Sequence, residues 1–352
     1  PADPHEELSN LLRVDPLEIE LGYGLLAYAD AARGGNLLER VAAIRRQIAG
    51  ELGIVLPLIR VRDNGSLPPN DYVIRLRGVE VGRGTLLPGH YLAMDPGGAE
   101  PGLEGIPTTE PAFGLDALWI TEARREEAEL GGYTVVDPPT VLATHLTRVV
   151  RRHAHELLGR QETRRLLDHV REQAPALVDE LVPDLLKVGD IQKVLRNLLR
   201  EGVPIRDLPT ILEALADRAH STRDPDLLTE YVRQAMAPQL ASLLPLEGGR
   251  LEVLTLEPSL EQRLSEALKR GEDALYLALS PAESEALLRA CRRAVERLAQ
   301  AGREPVILAP PLVRLQLRRL LEPMLPDVPV VGYGELPPNV ELKAVGVIQL
   351  AD

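Results

Sequence analysis

Cysteine is all but absent from this 352-residue chain, and so are tryptophan and phenylalanine, each present once. A lone Cys291 excludes an internal disulfide framework and fits a reducing compartment. It falls on the helical stripe Leu287, Leu288, Cys291, Val295, Leu298, which makes it a packed thiol rather than a nucleophile. Aromatics are only 3% of residues, so the cores must be built from Leu, Val, Ile and Ala, and any displayed aromatic stands out. No apolar run approaches the roughly eighteen residues of a membrane span, and no signal peptide opens the chain. It starts at Pro1 without an initiator methionine, as a piece of a longer protein would. Lysine is scarce as well, confined to Lys187, Lys193, Lys269 and Lys343, so arginine carries the positive charge, and 53 Asp and Glu against 40 Lys and Arg leave a net charge of −13. That balance denies the chain the field needed to engage phosphates, arguing against a non-specific nucleic-acid binder and a purely electrostatic membrane role.

The usual marks of catalysis are missing too. Gly78-x3-Gly82-x-Gly84 lacks the following helix and the Gly-Lys-Ser/Thr of a phosphate loop, and Pro88 interrupts it. His153 and His155 are two apart on a helix and diverge, while His145 and His169 have no partners at ligand spacing. All four read as helix-face or capping histidines. There is no Gly-x-Ser-x-Gly elbow. The helical pair at 190–219 has the outline of a helix-turn-helix, but its second helix offers Glu213 and Asp217 against Arg218 alone, a poor surface for DNA. No catalytic residue, metal site or cofactor is expected.

What is present, 45% hydrophobic residues over a length that suits two to three domains, supports an α+β multidomain chain. Residues 1–14 are polar and proline-bearing, a linker with Leu8, Leu11 and Leu12 on one short helical face. Residues 15–88 carry a β/α pattern: strand signals at Leu17–Tyr28, Ile54–Arg62 and Tyr72–Val81, and a helix from Asn36 to Leu52 stopped by Gly53. Gly22 and Gly24 either bend the backbone at a hinge or end a strand. From 89 to 137 prolines and glycines crowd around strands at His90–Met94 and Leu118–Ile120 and a short helix at Glu122–Leu130, a small α+β insertion in the first subdomain. The helix over 138–158 returns the chain to that subdomain. Residues 159–242 are helical throughout, and 243–352 alternate strand and helix as an α/β subdomain. Hinges are expected near Gly159 and Ser242.

The chain is organised around Gly132-Tyr-Thr-Val-Val-Asp-Pro-Pro-Thr-Val-Leu-Ala-Thr-His-Leu146, a strand running into a helix capped by Asp137 with Pro138 at its first position and Gly159 as its stop. Upstream, Phe113 sits in a Pro- and Gly-punctuated turn, Thr109-Glu-Pro-Ala-Phe-Gly-Leu115. A single phenylalanine ordinarily packs in a core; on a connection it is more often displayed.

Together with Asp116-Ala-Leu-Trp-Ile120 after Pro111-Ala-Phe-Gly114, and Val203-Pro-Ile-Arg-Asp-Leu-Pro-Thr-Ile-Leu-Glu-Ala-Leu215, this stretch resembles the cytoplasmic domain of the FlhA/InvA/LcrD family of type III export-gate proteins. Asp15-Pro-Leu-Glu-Ile-Glu-Leu-Gly22 and Leu58-Ile-Arg-Val-Arg-Asp-Asn64 fit the same family, and the Ala143-Thr-His-Leu146 ending looks flagellar. The resemblance runs from about Asp15 to Leu350. It implies a membrane-anchored protein at the cytoplasmic face of the bacterial inner membrane whose cytoplasmic part forms a nonameric ring. It implies partners as well: flagellar export chaperones carrying late substrates, and other export-apparatus proteins including the export ATPase complex. The family's chaperone dimple, between the first two subdomains, falls on Phe113 and Thr144, with Val136 and Val141 as wall positions and Glu110, where relatives often have aspartate, as a carboxylate at the rim. An equivalent gate in a virulence injectisome is the nearest alternative. A small-molecule enzyme or a DNA-binding regulator finds little support in these residues.

Overall fold

The computed structural model describes residues 4–350, which divide after Leu157 into two compact units. The first three residues of the expected linker lie outside the described residues. Most of the remaining linker forms α1 (Pro4–Leu11), with a turn at Leu12 and irregular backbone at Arg13 and Val14, and Leu8, Leu11 and Leu12 are exposed.

The first unit holds two four-stranded sheets. One has the order β2-β1-β3-β4, from β1 (Leu17–Leu21), β2 (Ile59–Asp63), β3 (Asp71–Leu76) and β4 (Val79–Thr85). β1 runs parallel to β2 and antiparallel to β3 and is buried along its whole length. Its Glu18 and Glu20 are therefore covered, and each is compensated by an arginine, Arg62 and Arg75 respectively. Between β1 and β2 lies α2 (Leu37–Leu52), which turns Leu37, Val41, Ile44 and Ile48 inward at the expected spacing. The expected Asn36 cap is not made; its side chain instead accepts from Arg40 Nε at 3.1 Å.

Three expected strands are corrected, the Ile54–Arg62 strand first, because it begins only at Ile59, where pairing with β1 starts. The Leu17–Tyr28 strand stops at Leu21 and becomes a 3-10 helix over Tyr23–Tyr28, because the amides of Gly22 and Gly24 turn to Asp71 O and Pro69 O, both at 2.8 Å. Tyr72–Val81 is not one strand but the β3–β4 hairpin, reversed where Arg77 and Gly78 both take positive φ, 47° and 81°. Gly82 and Gly84, weighed above as a phosphate loop, are thus ladder residues of β4.

The second sheet, of order β6-β7-β5-β8, is antiparallel throughout: β5 (His90–Met94), β6 (Ile106–Thr109), β7 (Asp116–Thr121) and β8 (Thr134–Val136). Ala93 and Ile120 pack there against Ala128 of α3 (Arg125–Leu130). β8 leads into α4 (Pro138–Leu157), where Asp137 Oδ1 accepts from the Thr140 amide at 3.1 Å. α4 packs against α2, β4 and β5, touching both sheets. Gly159 does not stop it: the helix ends at Leu157, and Gly159 is extended and heads the next helix, accepting from Thr163 N and Oγ1.

The second unit begins with helices α5 (Arg160–Gln173), α6 (Pro175–Glu180), α7 (Val188–Arg200), α8 (Leu208–Arg218), α9 (Pro225–Ala235) and α10 (Ala237–Ser242). Asp207 and Asp224 cap α8 and α9 through their side chains. A parallel sheet of order β13-β12-β9-β14 follows, from β9 (Arg250–Leu256), β12 (Ile307–Ala309), β13 (Val330–Gly332) and β14 (Glu341–Ile348). Helices α11 (Pro258–Ala267), α12 (Pro281–Gln300) and α13 (Pro311–Leu321) accompany it. The expected strand near Leu275 pairs elsewhere, in a separate hairpin of β10 (Leu268–Arg270) and β11 (Leu275–Leu277). Cys291 is buried in the α12 core as expected, and burial pushes its thiol up to about 12. The mixed architecture expected of the chain, with its helical and α/β portions in that order, is borne out.

A buried charge cluster joins those two portions of the second unit. Arg314 of α13, wholly buried, donates to Glu201 after α7 at 2.7 and 2.8 Å, to Glu230 of α9 at 2.8 Å and to the Val330 carbonyl at 2.9 Å. Arg233 of α9 holds Glu335 by a bidentate pair, both contacts at 2.8 Å. Burial by itself would raise the Glu201 carboxyl, but Arg314 and Arg233 overrule it and bring it to about 2.

Candidate functional site

The turn between β6 and β7 is built on Glu110. Its Oε1 accepts from the Ala112 amide and its Oε2 from the Phe113 amide, both at 2.8 Å. The backbone closes the same loop: Glu110 O accepts from Gly114 N at 2.9 Å, and Leu115 O from Glu110 N at 2.8 Å. A carboxylate so engaged can be buried at little net cost, and Glu110 is only 3% exposed. The loop it freezes carries Phe113 outward, 57% exposed.

Arg148 of α4 completes the arrangement. Its guanidinium carbon lies over the Phe113 ring, 4.8 Å from the centroid, in cation–π geometry. Thr144, one helical turn earlier on α4, is exposed, so Thr144 and Arg148 share a face of the helix beside the displayed ring.

The placement of α4 rests on a buried polar pair. The Tyr72 hydroxyl of β3 and His145 Nδ1 of α4 are 2.6 Å apart, and their rings meet edge to face at 5.6 Å. Two glycines make room for them. A Cβ on Gly82 would stand 3.1 Å from His145 Nε2, and one on Gly84 would run into the Tyr72 hydroxyl. Burial lowers the His145 pKa, against an opposing pull from Glu110, and burial first and Glu110 second raise that of Tyr72. His145 is therefore a buried strut, not the helix-face or capping residue expected. Among the described residues, no cluster of His, Cys, Asp and Glu could hold a metal, and no helix is long and apolar enough to cross a membrane.

Of the five positions singled out in the sequence, Phe113 and Thr144 are exposed. Val136 is half-buried on β8, opposite Leu92 of β5. Val141 is 2% exposed and supports α4 from inside, where a surface wall was expected. Glu110 is not at a rim, because turning its carboxylate outward would strip two amides of their acceptor. Arg148 and Tyr72 were not singled out. Arg148 carries a signal in retrospect, since it follows Thr144 by four residues in a helix; Tyr72 carries none, because its partner is remote in the chain.

Comparison with known proteins gives concordant results. The family model described as "FHIPEP family" matches residues 1–341. The flagellar biosynthesis protein FlhA of Bacillus subtilis is 48% identical over 345 residues, 98% of this chain and 51% of that protein. The chain thus spans about half the length of the curated relative. Among solved structures, Chlamydia pneumoniae CdsV superposes with a TM-score of 0.84 at 28% identity, covering 96% of this chain and 98% of that one, both alone and in a complex with CdsO. A nonameric EPEC SctV-C structure gives 0.77 at 25% identity, covering 95% of this chain and 98% of that one.

Proposed function

Since this chain belongs to the FHIPEP family, we propose that it is the cytoplasmic docking platform of a flagellar type III export gate, receiving export chaperones loaded with late substrates and taking part in substrate switching. The observation that carries this reading is a lone phenylalanine displayed on a rigid loop beside an exposed helical face. An aromatic anchor with polar surroundings is what the apolar side of a partner helix needs. Glu110 serves by holding the loop, Phe113 by contact, Thr144 by lining the α4 face, and Val136 and Val141 by support from below. Identity with the Bacillus flagellar protein favours flagellar over injectisome service, the reading that the CdsV and SctV likenesses would otherwise suggest equally well.

The proposal extends to assembly. The chain acts at the cytoplasmic face of the inner membrane as part of a longer, membrane-anchored protein. It is divided into subdomains 15–88 plus 138–158, 89–137, 159–242 and 243–352, and its copies form a ring beside other export components, the ATPase complex included. The nonameric SctV-C structure and the CdsV–CdsO complex support this by likeness. Residues 1–14, with their exposed leucines, would pack on a neighbouring copy. Deleting them and weighing oligomers by ultracentrifugation tests that point: unchanged self-association refutes it.

Calorimetric titration with a flagellar chaperone bound to its late substrate tests the main reading. Micromolar binding that weakens by about 2 kcal/mol or more in Phe113→Ala is expected. Binding that ignores the substitution moves the docking site elsewhere, and no binding by the native chain removes the flagellar assignment.

A further inference from the structure

A buried joint is ordinarily apolar, and the one inside the second unit is rich in charge. The two apolar clusters of the β13-β12-β9-β14 sheet, one around Leu254 and Ile348 and one around Leu251 and Val331, take their members from residues 244–348 alone. Where α13 packs on α9, six covered side chains bring three charges of each sign: Arg233, Arg314 and Arg318 against Glu201, Glu230 and Glu335. Further out, Arg319 holds Asp226 by two contacts, both at 2.8 Å, and Arg200 holds Glu322 at 2.7 Å. The pairing has a direction. Arg314 meets Glu230 and Arg319 meets Asp226, so positions rise along α13 as they fall along α9. A slide of one turn, about 5 Å, sets Arg314 against Arg233. A slide the other way leaves Glu230 facing Pro310 and Pro311, which carry no charge, and takes Arg319 past the start of α9 at Pro225. Either displacement strands a buried ion, which costs far more than the pair adds over an apolar contact.

We propose that this cluster is an alignment device: it fixes α13 at a single register on α7 and α9, locks the joint expected near Ser242, and makes the second unit one rigid body. The six charges choose the arrangement and add little to stability, because removing ions from water offsets most of their mutual attraction. Apolar contacts of the same bulk would hold the two portions together without a preferred register, since such contacts are non-directional. The lock lies wholly in the second unit and is independent of the docking reading.

The test is a distance measurement in the 352-residue chain by double electron–electron resonance, between spin labels on Glu213→Cys of α8 and Gln300→Cys of α12, both exposed positions. Cys291 is buried with its thiol pushed up to about 12 and does not compete for the label. The native charges should give one narrow distance. Replacing all six together, each arginine by Met and each glutamate by Leu, should leave the melting temperature within about 5 °C of native and add a population displaced by roughly 5 Å or more. A six-fold variant that melts as native and keeps the single distance refutes alignment by charge. A melting temperature more than about 5 °C lower refutes the small contribution to stability, and a broad or double distance with the native charges shows the joint unlocked. Should the six-fold variant not fold, Arg314→Leu with Glu201→Gln and Glu230→Gln decides by the same two readings.

Discussion

Arg314 is the residue whose loss the second unit should tolerate least. Its side chain has no exposure, and its guanidinium reaches Glu201, Glu230, Glu335 and the Val330 carbonyl. Replacing it by leucine preserves bulk but strands Glu201 and Glu230 in the interior. Arg233 cannot replace it: it is committed to Glu335 at 2.8 Å and stands 3.6 Å from Glu201. Breaking a buried pair by removing one member costs about 3–5 kcal/mol, and a unit of this size shifts by about 2–4 °C per kcal/mol. The melting temperature should therefore fall by roughly 6–20 °C, read by circular dichroism at 222 nm. The pH dependence follows from the same charges. In the native chain the Glu201 carboxyl is held near 2, so its contribution is present above the ordinary carboxylate range and is lost only as pH falls toward 2. In Arg314→Leu the stranded carboxylates are a cost while ionised and are relieved by protonation. The gap between native and variant should thus narrow from pH 7 to pH 4. Adding Glu201→Gln and Glu230→Gln should recover most of the loss at pH 7. A single-variant penalty below about 1 kcal/mol, or a gap that widens on acidification, would refute the assignment of Arg314 as the keystone of the cluster.

Other sites give sharper, smaller effects. Tyr72→Phe removes the hydroxyl that meets His145 and should cost about 1–2 kcal/mol in urea unfolding; an unchanged midpoint would show that pair to be idle. Because burial lowers the His145 pKa, the unfolded chain binds its proton more readily, so this residue's contribution should be present above the ordinary histidine range and be lost as pH falls through it. An NMR titration showing an ordinary or raised His145 midpoint would contradict that. Gly84→Ala drives a methyl into the Tyr72 hydroxyl and should cost about 1–3 kcal/mol, whereas Gly50→Ala, where nothing stands within 4 Å, should not destabilise. In Glu110→Ala the amides of Ala112 and Phe113 lose their acceptor; hydrogen exchange there should quicken while that of β3 stays slow, and equal protection in both chains would mean that other groups hold the loop.

Features written in neighbouring residues were legible in the sequence; those assembled from remote residues were not. Asp137 and Pro138 announce the start of α4 because capping is a matter of three consecutive residues. The α2 stripe likewise needs only helical periodicity. The β3–β4 hairpin escapes a reading of the sequence that counts β-favouring residues alone, because Val79 and Val81 prolong the run; the phase change at Arg77–Gly78, where apolar residues pass from even to odd positions, is its one local mark. Gly82 and Gly84 suggest in sequence only a phosphate loop, which the missing helix dismisses; their purpose is clearance, which depends on Tyr72 and His145 lying above them. The larger gap concerns charge. A glutamate or arginine in a sequence is ordinarily solvated, and nothing local distinguishes Glu110 from an exposed acid or Arg314 from an exposed base. Glu110 is buried because two amides of its own loop consume its carboxylate. Arg314 is buried because Glu201, 113 residues earlier, folds against it. A charged residue's location is thus decided by whether the fold completes its hydrogen bonds, a property of the assembled neighbourhood.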